Sequence, residues 1–410
     1  MAGTVKVPSE SITTLGFVDG DLIVGSDVTL KGEGVSPKVN VSGRIECTGD
    51  CTFECNVSAV DLEGEHGDLI VQGDLEVKGD VEIRHGRLNV EGTLNAKNVD
   101  VDKSLVVGKD LDAEDVDVGG SLEVTGNTQV KTIDVGGRFK GVGEVKAEDI
   151  DVGGSVTIES EAEIEEINVG GAVTLYGGHV GEIDVGGSFE SKRSLEFDSI
   201  DVGGAVKLAD KNKGGNIDVG GSCKVDGDLK FGNIDVGGII DISGLAEGES
   251  LDVGGKVHVG ASMQLSGELD VGGKIEVGDA LAAQTIDIGG SLKAHVVTAR
   301  DKVSVGGSIN TVVGVNASFI EIGRRGKVTG PVRANEVLIG ERARVEDVYS
   351  DEITMAEEAQ ARNLYGQRIR VESGCRIEGE VRFTQSLESE KGVFYAKPPV
   401  RVDKLPQQLS

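Results

Sequence analysis

Aromatic residues, proline and long apolar runs are scarce in this chain of 410 residues. Tryptophan is absent, aromatic residues make up 3% of the sequence, and there are 6 prolines. No run approaches the ~18 apolar residues that a membrane-spanning helix needs, and the first residues lack the apolar core of a secretory signal. We therefore expect a cytoplasmic protein without direct membrane insertion, whose interior holds small aliphatic side chains.

Basic residues are outnumbered by acidic ones. The chain has 41 Lys and Arg against 71 Asp and Glu, which gives a formal net charge of −30. A chain of this sign is repelled by phosphate backbones and by anionic lipid headgroups. We therefore expect neither nucleic acid nor an anionic membrane as a direct partner.

Cysteine is rare, and its count is odd. The five residues are Cys47, Cys51, Cys55, Cys223 and Cys375. Without a secretion signal, disulfides are not expected. The spacing of four between Cys47, Cys51 and Cys55 is not that of paired zinc ligands, and no histidine accompanies it. The main interpretation is that these three are small core residues, with a metal or redox role as the alternative.

Glycine is abundant, with 63 residues, and much of it stands in one repeated unit. Ile-Asp-Val-Gly-Gly occurs at 133–137, 150–154, 183–187, 200–204, 217–221 and 234–238, and close variants occur at 116–120, 167–171, 251–255, 269–273, 286–290 and 303–307. The first glycines follow one another at steps of 16 to 18 residues, usually 17. A fixed period this short predicts a solenoid in which each repeat stacks on its neighbours.

Apolar and polar residues alternate on both sides of each glycine pair. Ile150 and Val152 precede one pair, and Val156 and Ile158 follow it. Alternation with period two is typical of strands with one buried face, so the pair predicts a corner between two short strands. We expect glycine at this corner because tight corners often need a positive φ. The corners assigned in this way include Gly119, Gly120, Gly136, Gly137, Gly153, Gly154, Gly203 and Gly204.

The rest of each repeat is long enough for a third short side. The predicted fold is therefore all-β, a single-stranded parallel β-helix with three sides in each coil of about 17 residues. Like residues should form ladders along its axis, with strands roughly 4.8 Å apart. A constant period of 17 residues per coil fits poorly to a left-handed helix of hexapeptide repeats. The period therefore favours a right-handed coil.

The amino-acid composition of the repeats changes along the chain, and these changes predict how the chain is organised. We expect an N-terminal tail at 1–15, a continuous β-helix at 16–385, and a C-terminal cap or tail at 386–410. Within the β-helix, 16–115 are irregular first coils, 116–310 are the regular coils, and 318–385 are coils richer in arginine. Less regular terminal coils are expected where a solenoid has to be capped.

The aspartate of the repeated unit should form a ladder of like charges. It is present at Asp117, Asp134, Asp151, Asp184, Asp201, Asp218, Asp235, Asp252, Asp270 and Asp287, while Asn168 and Ser304 take its place in two repeats. Like charges stacked this closely repel one another. Water and bulk cations, hydrogen bonds to the corner amides, or a row of bound cations could offset the repulsion, and the sequence leaves these alternatives open.

The C-terminal part differs in charge and in aromatic content. Ten arginines lie between 324 and 382, which predicts either ordinary surface variation or an end that meets an acidic surface. Phe383, Phe394 and Tyr395 stand close together in a chain with few aromatic residues. We interpret them either as a cap over the last coil or as contacts for self-assembly, because the end of a β-helix is an open strand edge that must be covered or paired.

Motifs for catalysis are missing from the sequence. There is no Gly-x-Ser-x-Gly, no phosphate-binding loop of the Walker type and no His-Glu-x-x-His. The regular repeats also leave no room for the long loops that enzymes built on β-helices use. We therefore predict no catalytic residue, no cofactor, no bound metal and no enzymatic activity.

The repeated Ile-Asp-Val-Gly-Gly-Ser units, with the Gly-Asp-Leu-x-Val-x-Gly units before them, resemble the bactofilin family. The likeness is greater to the long archaeal bactofilin-like proteins that include the halofilins, and it covers roughly residues 18–405. It implies a right-handed parallel β-helix that polymerises end to end without nucleotide and serves as a cytoskeletal scaffold. The chain departs from bacterial members in its many coils and in having no evident membrane-targeting segment.

Three functions follow as hypotheses. The first is a structural protein that assembles with itself end to end into filaments supporting cell shape or positioning other cytoskeletal or cell-envelope proteins. The second is a binding module that does not polymerise and docks a partner protein through its acidic faces or its arginine-rich end. The third, a carbohydrate-active or acyl-transferring β-helix enzyme, would need clustered carboxylates or a histidine beside a groove.

Overall fold

The computed structural model describes residues 3–406, which contain strands and turns but no helix. The chain divides into two compact units, Met1–Gly204 and Ala205–Ser410. The strands of the first unit are β1 (Gly3–Val7), β2 (Ile12–Leu15), β3 (Phe17–Val18), β4 (Gly20–Val24), β5 (Val28–Gly32), β6 (Lys38–Val41), β7 (Ile45–Cys47), β8 (Cys51–Glu54), β9 (Asn56–Ala59), β10 (Leu62–Glu65), β11 (Leu69–Val71), β12 (Leu75–Val77), β13 (Asp80–Arg84), β14 (Arg87–Val90), β15 (Leu94–Asn95), β16 (Asn98–Val101), β17 (Ser104–Val107), β18 (Leu111–Asp112), β19 (Asp115–Val118), β20 (Ser121–Val124), β21 (Thr128–Gln129), β22 (Thr132–Val135), β23 (Arg138–Gly141), β24 (Val145–Val152), β25 (Ser155–Ile158), β26 (Ala162–Val169), β27 (Ala172–Leu175), β28 (Gly178–Val185), β29 (Ser188–Ser191) and β30 (Leu195–Val202).

The strands of the second unit follow the same order. They are β31 (Ala205–Leu208), β32 (Asn212–Val219), β33 (Ser222–Val225), β34 (Leu229–Lys230), β35 (Asn233–Val236), β36 (Ile239–Ile242), β37 (Ala246–Gly248), β38 (Ser250–Val253), β39 (Lys256–Val259), β40 (Met263–Leu265), β41 (Glu268–Val271), β42 (Lys274–Val277), β43 (Ala280–Ile288), β44 (Ser291–Val305), β45 (Ser308–Asn316), β46 (Phe319–Ile322), β47 (Lys327–Thr329), β48 (Val332–Ile339), β49 (Arg344–Met355), β50 (Gln360–Val371), β51 (Arg376–Ile377), β52 (Val381–Ser389), β53 (Phe394–Tyr395) and β54 (Val400–Arg401).

Each coil has three sides that pair with the same sides of the next coil. The strands β16, β17 and β18 form one coil and pair in parallel with β19, β20 and β21. In other coils the third side runs directly into the first side of the next coil, as in the eight residues of β24. The predicted three-sided parallel β-solenoid with coils of about 17 residues is therefore confirmed, while its handedness stays a prediction.

The core follows from the alternation within each strand. Around the corner at Gly153 and Gly154, the side chains of Ile150, Val152 and Ile158 are fully buried. Burying one such aliphatic side chain contributes roughly 1.5–3 kcal/mol. Because every coil repeats the pattern, the buried side chains form continuous apolar rows inside each unit.

Glycine occupies the predicted corners for a different reason from the expected positive φ. Among the described residues, the glycine pairs of the repeated unit do not adopt the left-handed region. A β-carbon built on Gly136 would instead lie closer than 3.0 Å to the carbonyl oxygen of Gly119 in the preceding coil. The same close approach to backbone applies at Gly119, Gly120, Gly137, Gly153, Gly154, Gly203 and Gly204. Glycine therefore stacks here because the backbone of the preceding coil leaves no space for a side chain.

A second kind of corner explains the Gly-Asp-Leu units. The Asp110 side chain accepts a hydrogen bond from the Asn127 amide of the next coil at 2.8 Å. Asn127 in turn accepts one from the Glu144 amide at 3.1 Å. A β-carbon on Gly126 would collide with the Asp110 carboxylate. At this corner glycine makes room for a carboxylate or amide oxygen that satisfies the backbone of the coil above.

The coil length varies at both ends of the chain. Val24 is in register with Cys47, a longer step than 17, because a loop at 33–37 is inserted into the second coil. Near the other end, Ile339 is in register with Met355, so this coil is one residue shorter than the predicted step. The parallel pairing continues through both irregularities.

The terminal segments differ from the expected tails. Within 1–15, expected to be a tail, β1 pairs with β4 and β2 pairs with β5. Within 386–410, β53 pairs with β51 and β54 pairs with β52. Both segments therefore belong to coils, while residues 1, 2 and 407–410 lie outside the described residues. The predicted continuous β-helix at 16–385 is divided between the two compact units at Gly204.

Candidate functional site

The first coil exposes apolar side chains at its outer edge. Ile12 is 74% exposed and Phe17 is 66% exposed. Single exposed apolar side chains also occur in interior coils, such as Ile239 and Val312, but the first coil combines two of them with an open strand edge. Val5 lies in register with Leu22, a fully buried core residue, yet is 38% exposed, because within residues 3–406 its strand pairs on one side only. Sequence reasoning missed this surface because it treated 1–15 as a tail.

The last two coils hold the three aromatic residues singled out from the sequence, with Phe383 in the coil before Phe394 and Tyr395. Phe394 is 48% exposed and lies under the Arg376 guanidinium, which is 4.6 Å from the ring centroid. Tyr395 is half-buried and its hydroxyl donates to Ser389 Oγ at 3.0 Å. Phe383 is half-buried and lies in register with Arg401. Phe394 is therefore the aromatic residue of this group that offers most surface to another molecule.

The backbone edges of these two coils are open. Within residues 3–406, β1, β2 and β3 have a ladder partner on one side, formed by β4, β5 and β6. In the last coil, β53 and β54 likewise pair with β51 and β52 alone. Unpaired strand edges with exposed apolar side chains are sites where another chain can add.

The first unit carries a groove of about 1480 Å³ along one corner of its coils. Its floor is formed by inward-facing apolar residues, namely Val77, Ala96, Ala113, Val130, Ala147 and Ile164. Alanine, a short side chain, occupies three of these positions. The exposed residues before and after each floor residue form the two walls.

The two halves of this groove differ in charge. Lys78, Lys97 and Lys131 lie on one wall in the N-terminal half. In the C-terminal half the lining is acidic and contains Glu148, Asp149, Glu163, Glu165, Glu166, Glu182 and Asp198. Lys146 lies among them and pairs with Glu163 at 2.6 Å. Burial, followed by the nearby Glu166 and Asp151 carboxylates, raises the pKa of Asp149. This half is therefore a concave surface of predominantly negative charge.

The aspartates of the repeated unit do form the predicted ladder. Asp117, Asp134 and Asp151 are successive partners in register, and Asp235 lies between Asp218 and Asp252 in the same way. Burial, followed by the charges of Asp252 and Asp218, raises the pKa of Asp235. Within residues 3–406, no cluster of three or more His, Cys, Asp or Glu side chains is arranged to hold a metal ion.

Most of the C-terminal arginines pair with acids of the protein itself. Six of the ten form ion pairs, namely Arg324, Arg342, Arg362, Arg368, Arg376 and Arg382. Several of these pairs join successive coils, as between Arg342 and Glu358 at 2.7 Å. Arg324, Arg342, Arg362 and Arg368 therefore link successive coils, while Arg376 and Arg382 pair within their own coil. Much of the charge of these six arginines is already compensated.

The cysteines are core residues. Cys47, Cys51, Cys55, Cys223 and Cys375 are all free and buried. Hydrogen bonding to Cys51 and burial raise the pKa of Cys47, and burial raises the pKa of Cys223 to about 12. A high pKa and burial both make a thiol unreactive.

Among the described residues, no helix is long and apolar enough to cross a bilayer. Comparison of the chain with protein-family models, with curated proteins and with solved structures found no match.

Proposed function

We propose that this protein is a structural scaffold that associates with itself through its first and last coils without nucleotide. The observation that carries the proposal is the pair of open coil edges. Each edge combines unpaired strands with exposed apolar side chains, Ile12 and Phe17 in the first coil and Phe394 and Val400 in the last. A β-solenoid with repeating coils is in keeping with a structural role.

The energetics of this surface support association. Burying a large apolar side chain contributes roughly 1.5–3 kcal/mol, and parallel strand pairing across the interface would satisfy the open backbone groups. The interior coils of each unit are held together by these same two contributions. Stacking of a further coil from another copy therefore needs no new kind of interaction.

Kinship with the bactofilin family, assembly into filaments, a location in the cytoplasm and a role in cell shape or protein positioning are further parts of the proposal. They rest on the resemblance of the repeated units and on the open coil edges. We also propose that the chain is not an enzyme and that its main partner is a second copy of itself.

The substitution Phe394→Arg tests the proposal. It removes an exposed apolar contact and adds a charge, so association should weaken by at least about tenfold, which corresponds to roughly 1.4 kcal/mol. Filaments or oligomers of the purified protein, observed by electron microscopy without nucleotide, should require higher protein concentration than for the unchanged chain.

The matched control is Val312→Arg. Val312 is 72% exposed but lies in β45, away from the terminal coils. It should leave assembly unchanged. Equal effects of the two substitutions, or no effect of Phe394→Arg, would contradict the assignment of the last coil as a contact.

The groove of the first unit favours a second candidate function, a binding module. Its acidic half suits an extended, positively charged segment of a partner protein. Replacing Glu165 and Glu166 by Gln should then lower the affinity for a lysine-rich peptide at low salt, measured by titration calorimetry, while Asp117→Asn on the ladder should not. Equal affinity of both variants and the unchanged chain would remove this candidate.

A further inference from the structure

We infer that copies of this chain associate head to tail, with the first coil of one copy stacked in register on the last coil of the next. The inference rests on the proposed self-association and adds its polarity and register. It is carried by the residues that occupy equivalent repeat positions in the two terminal coils.

Strand direction favours this arrangement. In the described part of each unit, the coils stack with all three sides parallel, as β16 to β18 do on β19 to β21. The outer edge of the first coil and the outer edge of the last coil are the two complementary surfaces of such a stack. Joining two first coils, or two last coils, would reverse the strands across the contact.

Apolar residues stand at both ends of one outward-facing row. Phe17 belongs to the row that continues through Asn40, Ser58 and Glu76. Val400 ends the same row of the repeat in the second unit, after Tyr365 and Arg382. The repeat position is the one four residues before the Ile-Asp-Val-Gly-Gly unit, held by Lys146 and Lys230. A head-to-tail stack in register therefore brings Phe17 onto Val400, and both are exposed in the single chain.

The core row matches in the same way. Val5 is in register with Leu22, and Leu387 is in register with Ile369. Leu22 and Ile369 are buried core residues, whereas Val5 is exposed and Leu387 is half-buried. A following coil in register would cover both and continue the apolar row across the contact.

The charges in the aspartate row also match. The row begins at Lys6, which is in register with Ile23, and ends at Glu388, which is in register with Arg370. Head-to-tail stacking in register sets Lys6 beside Glu388. Opposite charges directly across a strand pair are favourable and like charges are not.

Disulfide trapping tests the polarity. In a parallel ladder the paired Cα atoms are roughly 4.8 Å apart, which lies within the range of about 4.4–6.8 Å that a disulfide spans. The double variant Phe17→Cys/Val400→Cys, oxidised after assembly, should give a ladder of covalent oligomers on a non-reducing gel. Each single variant should stay monomeric, because every head-to-tail contact then contains one introduced thiol. The buried native cysteines leave the background low, and Phe17→Cys/Val312→Cys is the off-register control.

A second pair of cysteine substitutions is needed because replacing Phe17 removes one of the proposed contacts. Lys6→Cys/Glu388→Cys should give the same ladder, again with monomeric single variants. If the unchanged chain assembles but a single variant of the first coil forms covalent dimers, or neither double variant forms oligomers, the head-to-tail inference is overturned and self-association stands. If the unchanged chain does not assemble at all, the proposed function and the inference both fail.

Discussion

At the scale of single residues, exposed polar side chains at the corners hold successive coils together. Asp110 and Asp228 each accept a hydrogen bond from the backbone of the next coil, at 2.8 Å from Asn127 and 2.7 Å from Leu245. A backbone amide without a partner is costly when it is removed from water. These aspartates therefore connect one coil to the next.

Replacing Asp110 by Ala should destabilise the first unit by about 1 kcal/mol, because the Asn127 amide loses its acceptor. Asp110→Asn keeps an oxygen acceptor in the same place, as Asn127 itself does for Glu144. It should cost much less. Thermal or denaturant unfolding of both variants measures the difference, and equal losses would mean that charge rather than hydrogen bonding is what matters.

Asp235, in the aspartate ladder, has the opposite effect on stability at neutral pH. Because burial and the neighbouring carboxylates raise the pKa of Asp235, the folded protein binds this proton more tightly than the unfolded chain. The stabilisation is fully present below the pKa of an unfolded aspartate, about 3.9, and is lost as the pH rises through the raised value. At pH 7 the charged Asp235 is therefore unfavourable.

Asp235→Asn should raise the free energy of unfolding at pH 7 by roughly 0.2–1 kcal/mol, because a like-charge contact is removed. The gain should disappear below about pH 4. Glu276→Gln is the contrasting control: its hydrogen bond to Lys293 lowers the pKa of Glu276, so this variant should be less stable at pH 7 and approach the unchanged chain only at acid pH. Denaturant unfolding at several pH values measures the free energy of unfolding of both variants. A loss of stability for Asp235→Asn at pH 7 would refute this account of the ladder.

At the scale of a strand and its corner, the stacking distance sets the sequence. The glycine pairs of the repeated unit lie against backbone of the preceding coil, so a β-carbon there meets an atom that cannot rotate away. At the short Gly-Asp corners, the missing side chain of glycine leaves room for a side-chain oxygen that accepts a backbone hydrogen bond. Both kinds of glycine are therefore requirements of close approach between coils.

Gly153→Ala should destabilise the protein by roughly 1–3 kcal/mol, because the added methyl group forces the backbone of two coils apart. Gly232 is the matched control, since a β-carbon there would lie 3.2 Å from the nearest backbone oxygen, a contact that a small shift relieves. Gly232→Ala should cost clearly less. If calorimetry gives the two variants the same melting temperature, steric stacking is not the reason for glycine at the repeated corner.

The strands and their period could be predicted because the information is local. The alternation of Ile150 and Val152 and the step to the next glycine pair suffice for a parallel β-solenoid. The role of Gly153 could not be predicted, since the distance between coils is absent from the sequence. The first coil was missed because Val5 and Val7 alternate without a glycine pair behind them. The groove of the first unit could not be predicted, because its depth depends on how the chain bends at a corner.

At the scale of the whole molecule, the first and last coils within residues 3–406 pair with a neighbouring coil on one side only. The inward-facing rows of the interior coils are buried, while Val5 is 38% exposed and Leu387 half-buried at the ends of their row. The terminal coils also carry exposed apolar side chains on their outer faces, namely Ile12, Phe17, Phe394 and Val400. In a solenoid, stability is approximately a sum of terms within coils and terms between neighbouring coils. The terminal coils each lack one of the latter, and a second copy of the chain can supply it.

Sedimentation velocity of the purified chain over rising concentration, in buffer without nucleotide, tests this self-association most directly. The account predicts species that grow beyond the 42.6 kDa chain as concentration rises, and a return toward the single chain for Phe394→Arg at equal concentration. A single boundary of 42.6 kDa at every concentration and salt condition would contradict it.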